Sequence, residues 1–64
     1  MLYKGTVAKE SDLPKSGYSA GWTYKVATAG TYIGKVCEVG DMIIATTDAT
    51  DGQNAINNAH WSVI

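Results

Sequence analysis

"CEVGDMIIA", residues 37–45, is the stretch whose reading decides the fold. Gly40 supplies a positive φ without steric cost, and Asp41 is a residue that bonds back to its own backbone, so the pair reads as a turn. The apolar run from Met42 through Ile43, Ile44 and Ala45 follows without a break. An apolar run that does not alternate is expected to be a strand covered on both faces. The stretch is therefore read as a turn feeding a central strand, not as a catalytic loop, with Val39, Ile43 and Ile44 assigned to the core.

Working outward, Trp22 to Val26 alternates cleanly and is rich in β-forming residues, which predicts a strand with Tyr24 and Val26 in the core. Ala29-Gly30 ends it. Thr31 to Val39 is a second extended stretch, interrupted by Gly34, which marks a bulge or turn. Leu2 to Val7 reads as the first strand, with Tyr3 and Val7 on one face and Lys4 and Thr6 on the other. Ala8 to Leu13 has room for one helical turn, which Pro14 cannot continue. Leu13 is the only large aliphatic residue there and is expected to plug the underside of a sheet. Ser16 to Gly21 has loop composition. Thr46 to Ala59 is almost wholly polar and long for a loop in so small a domain. His60 to Ile64 closes the chain as a last strand, with Trp61 and Val63 on one core-facing side. The expected fold is a single all-β domain spanning 1–64, of about five short strands and one short helical turn, arranged as a small partly open barrel or as two layers.

Bulk properties narrow the function. With 64 residues the chain is one domain, and a domain of that size buries only about 60% of the surface its unfolded chain exposes. Such scaffolds commonly need a staple. The single Cys excludes an intrachain disulfide, and no C-x-x-C or H-x-x-x-H spacing offers a structural zinc site. A partner chain is left as the expected staple. The net charge is −1, with five Lys, six acidic residues and no Arg. No basic stripe is present, so nucleic acid is not an expected partner. The longest apolar run is far too short to cross a bilayer, and the N-terminus lacks the basic-then-apolar pattern of a signal peptide.

Candidate chemistry is sparse. Cys37 and His60 are the only residues of their types, and a Cys within a strand-like run is usually a buried, inert thiol. Glu38 and Asp41 read as a solvent-facing residue and a turn residue. Asp48, Asp51 and Asn54 offer oxygen ligands for calcium, but the D-x-[DN]-x-[DN]-G pattern is absent because Thr50 stands where its second ligand should be. A solvated loop without metal is expected. No catalytic site and no cofactor are expected. Tyr18 and Trp22 flank Gly21 in what reads as a loop, and are taken as exposed aromatics serving an interface or a glycan platform.

The ordered phrases "TVAKESDLP", "GWTYKVATAGTYIGKVCEVGDMII" and "HWSVI" resemble a small β module of tailed-bacteriophage structural proteins, of tail-fibre, baseplate and head-surface type, notably in gut phages. The resemblance runs over nearly the whole chain through Leu13-Pro14, Gly21, Tyr24, Val26, Ala29-Gly30-Thr31, Gly34, Val39-Gly40-Asp41, Ile43-Ile44 and Trp61. Where the family usually has Asp after the first Gly, this chain has Trp22. The resemblance implies a non-enzymatic virion-surface module, either a fibre or baseplate domain or a capsid decoration protein, made in the host cytoplasm. It also implies partners: other virion proteins and further copies of the chain, with a cyclic trimer preferred. The alternative is a glycan-binding module for host or mucus polysaccharide.

Overall fold

Six short strands form where the sequence is richest in β-branched and aromatic residues. The computed structural model describes residues 1–64, with β1 (Leu2–Val7), β2 (Trp22–Val26), β3 (Gly30–Tyr32), β4 (Lys35–Cys37), β5 (Met42–Ala45) and β6 (Trp61–Val63). Single 3₁₀ turns lie at Glu10–Asp12 and Asn58–His60. The fold is all-β, in two layers that do not close into a barrel: a four-stranded sheet of order β1-β2-β5-β6 and a β3-β4 hairpin. Tyr32, Ile33 and Cys37 of the hairpin share one core cluster with Val7, Val26, Ile43, Ala45 and Trp61 of the sheet, so the hairpin covers one sheet face.

The Gly40-Asp41 pair is a turn. Gly40 has φ 98°. The Asp41 carboxylate accepts from Glu38 N–H at 2.9 Å, and Asp41 N–H donates to Glu38 O at 3.1 Å. Gly40 N–H donates to Val26 O, and Val26 N–H to Asp41 O, which docks the turn on the end of β2. β5 then runs between β2 and β6, antiparallel to both.

Coverage of β5 on both faces is not what forms. Ile43 is fully buried and Ala45 nearly so, while Met42 and Ile44 are only half-buried. Successive side chains of a strand point to opposite faces, and the second layer covers one of them. Ile44 is thus removed from the expected core, whose place on β5 belongs to Ile43 and Ala45. Val39 is also removed: it is 66% exposed, because β4 ends at Cys37 and the chain bends into the turn before an inward position recurs. Tyr24 and Val63 are half-buried and pack against the core, and Leu13, Val26 and Trp61 are buried in it.

β1 lies parallel to β2. Parallel neighbours need a crossover of a dozen or more residues, and residues 8–21 provide it, with Leu13 turned inward as the plug. The register slips between Tyr3 and Gly5. This bulge at Lys4 moves Tyr3 onto the opposite face from Val7, so the two do not share a side as alternation predicts.

The hairpin turn places Ile33 at φ 49° and Gly34 at φ 77°, the two successive positive values of a type I′ turn. A β-branched residue there is strained. Ile33 is nonetheless buried, and its N–H donates to Glu10 Oε1 at 2.8 Å. Burial and that bond hold the strained residue in place. A Cβ on Gly34 would lie 3.3 Å from Asn58 Nδ2, close enough that the Asn58 amide would have to shift by a few tenths of an ångström.

Candidate interaction surface

The uncovered face of the four-stranded sheet is built by register alone. Tyr3, Thr23, Ile44 and Ser62 form one cross-strand row. Thr6, Lys25 and Met42 form the next, which Ile64 extends through its reciprocal backbone bonds with Met42. Tyr3 is 56% and Ile64 71% exposed, and Met42 and Ile44 are half-buried. Thr23, between Tyr3 and Ile44 in the row, is itself buried, with Oγ1 donating to Gly21 O at 3.0 Å. Lys25 is the one charged residue in these two rows. The result is a mixed strip in which Tyr3, Ile44, Met42 and Ile64 stand among polar residues around a buried threonine. It is the side of the sheet that the hairpin leaves uncovered.

Trp22 opens β2 on the other side of the sheet, half-buried and packed against the core. The Lys4 ammonium sits over its ring, 4.1 Å from the centroid. The bulge that displaces Tyr3 is what brings Lys4 there, and a cation over an indole is favourable. Trp22 is therefore a residue at the margin of the core, with one ring face already occupied.

Tyr18 is not exposed. It is 2% accessible, and its ring lies 4.9 Å from that of Trp61 and edge-on to His60. Its hydroxyl is 2.7 Å from His60 Nδ1 and receives a bond from Gln53 Nε2 at 2.8 Å. Asn57 Oδ1 accepts from Ala59 N–H, which turns the Asn57 amide nitrogen toward His60 Nε2 at 3.4 Å. Lys15 O and Ala55 O also lie within hydrogen-bond reach of Gln53 Nε2, so its two N–H groups are shared among three acceptors. The loop expected to be merely solvated is thus fastened at Gln53, with Ala49 and Ile56 packed against the core. Polar composition hid this, because the anchors are amides bonding to backbone and to a buried phenol.

The remaining candidates are engaged elsewhere. Cys37 is buried, its thiol pointing at Lys35 O at 3.7 Å. Burial pushes that thiol up, and the Asp41 carboxylate adds to the effect. A thiol so held stays protonated and unreactive at neutral pH. His60 bonds to Tyr18 and Asn57, not to Cys37. Asp48 Oδ1 accepts from Ala20 N–H, and no three His, Cys, Asp or Glu side chains cluster as metal ligands would. The surface has no concave pocket.

The open-face residues Tyr3, Met42 and Ile64 were not singled out from the sequence. The signal was there in part: an apolar strand beside a strand carrying Thr23 and Lys25 on alternate positions has a second side to account for. Comparison of the chain with protein-family models, with curated proteins and with solved structures gave no match.

Proposed function

We propose that this chain is a non-enzymatic structural module of the surface of a tailed-bacteriophage particle, a fibre or baseplate domain or a capsid decoration protein. The observation that carries the reading is the work done by the residues on which the resemblance rests. Gly34 and Gly40 make turns, Asp41 caps the second of them, and Leu13, Val26, Ile43 and Trp61 fill the core. They are residues of architecture, as a family of structural modules requires. The module works by contact, assembling with copies of itself into a cyclic trimer and with other virion proteins. The uncovered strip around Tyr3, Ile44 and Ile64 suits that role better than Tyr18, which is buried.

The glycan-binding alternative has Trp22 as its platform. Lys4 lies over one face of that ring, where a sugar would stack.

Labelling tests the proposal. An antibody raised against the chain should decorate intact tailed particles in electron micrographs of host lysates. Antigen found only in particle-free fractions would overturn the virion reading. Light scattering of the purified chain should give a trimer mass that Ile44→Lys reduces to the monomer. A monomer at every concentration would overturn the self-assembly part alone.

A further inference from the structure

The four aspartates of the chain are held very differently. Asp12 Oδ2 accepts from Ala8 N–H, and the next amide, Leu13 N–H, donates to Glu10 O. Asp41 Oδ2 accepts from Glu38 N–H, and Met42 N–H donates to Ile64 O. Asp48 Oδ1 accepts from Ala20 N–H, and Ala49 N–H donates to Tyr18 O. In all three the carboxylate and the following amide are both tied. Asp51 is exposed, its carboxylate makes no hydrogen bond, and Gly52 N–H makes none either. Gly52 has φ 79° and open space where a Cβ would be.

We propose that Asp51-Gly52 is a site of spontaneous isoaspartate formation, a built-in ageing site that loosens the 46–57 loop between β5 and the 3₁₀ turn at Asn58–His60. The step needs no reagent beyond water. With the Asp51 carboxyl group protonated, Gly52 N attacks Cγ, the new N–C bond closes a five-membered succinimide, and the Cγ–OH bond breaks, the hydroxyl leaving as water with the proton from the amide nitrogen. Water then opens the ring. Opening at the side-chain carbonyl restores aspartate, and opening at the main-chain carbonyl leaves the backbone running through Cβ and Cγ. Free reacting groups and the absence of a side chain on the following residue are what ring closure requires. Asp51-Gly52 has both, and the other three aspartates have neither.

The consequence follows from the turn in which the pair sits. Thr50 N–H donates to Gln53 Oε1 at 3.1 Å, and Gln53 N–H donates to Thr50 O at 3.0 Å. An extra backbone carbon between them breaks this reciprocal pair. Gln53 is then no longer aimed at Tyr18 Oη, Lys15 O and Ala55 O, and the latch on the loop is lost.

The test is to age the purified protein at physiological temperature and neutral pH, digest it, and separate the peptide containing Asp51. A mass-identical second peak that accepts a methyl group from an isoaspartyl methyltransferase should grow with time there, several-fold faster than at Asp12, Asp41 or Asp48. Asp51→Glu, whose ring would have six members, should abolish the peak, and Gly52→Ala should slow it. The isomerised protein, separated by ion exchange, should melt several degrees below the fresh protein. No isoaspartate at Asp51, or equal amounts at all four aspartates, would overturn the site. An unchanged melt of the isomerised fraction would overturn the loosening.

Discussion

The two faces of the four-stranded sheet are made from the same strands and have opposite fates. On the covered face, Val7, Val26, Ile43, Ala45 and Trp61 pack with the hairpin residues Tyr32, Ile33 and Cys37. On the open face, Tyr3, Ile44, Met42 and Ile64 stand beside Lys25 and Thr6 with no layer above them. Ile43 and Ile44 are chemically identical neighbours, and only the direction of the side chain separates a fully buried residue from a half-buried one. Hydrophobicity says that a side chain gains by leaving water; the sheet decides which of two adjacent ones does so.

The largest expected effect tests that difference directly. Ile43→Ala should cost about 3 kcal/mol, as deletion of a buried side chain in a packed core does. Ile44→Ala should cost about 1 kcal/mol, the ordinary loss for a partly exposed site. Urea denaturation of both variants gives the comparison. The comparison holds at dilutions where light scattering shows monomer; equal losses there would mean that both faces are packed within one chain, and a gap that closes as trimer forms is what cover of the open face by copies predicts.

The next effect concerns the hairpin that closes the covered face. Ile33→Asn relieves roughly 1 kcal/mol of left-handed strain and forfeits about 3 kcal/mol of burial and packing. The net expectation is a loss of about 2 kcal/mol, read from the same denaturation curves. A gain in stability would show that strain outweighs packing at this turn.

A smaller effect comes with pH. Cys37 is raised above the ordinary thiol value by burial and then by Asp41. Tyr32 is raised by burial, then by Cys37 and Asp12, and Tyr24 by burial. A group whose folded-state pKa is raised holds its proton more tightly folded than unfolded. Its contribution is complete below the unfolded value and is lost as pH rises through the folded one. Stability should be steady through neutrality, begin to fall above about pH 8.5 as the thiol of the unfolded chain ionises, and fall further above about pH 10 with the tyrosines. Melts across this range should show a weaker first decline in Cys37→Ala. An identical pH profile for that variant would remove Cys37 as the cause.

The smallest effect lies at the margin of the sheet. Lys4→Ala should cost about 0.5 kcal/mol through the lost cation–ring contact with Trp22. A double-mutant cycle with Trp22→Phe isolates that coupling, and a coupling of zero would mean that Lys4 merely lies near the ring.

Much of this was legible in the chain itself. The β1 and β2 spans, the Gly40-Asp41 turn, the interruption at Gly34 and the inward Leu13, Val26, Ile43 and Trp61 all follow from local rules: β-branched and aromatic residues favour strands, and Gly and Asp make turns. These rules act over a few residues, so sequence alone determines them. Five decisions were tertiary. The bulge at Lys4 reversed the side of Tyr3. The hairpin chose one face of β5, leaving Ile44 outside the core. The early end of β4 exposed Val39. The crossover buried Tyr18, and Gln53 fastened the polar loop to it. Each depends on which segment comes to lie above another. Composition cannot encode that, because burial belongs to a pair of surfaces and a sequence describes only one of them at a time.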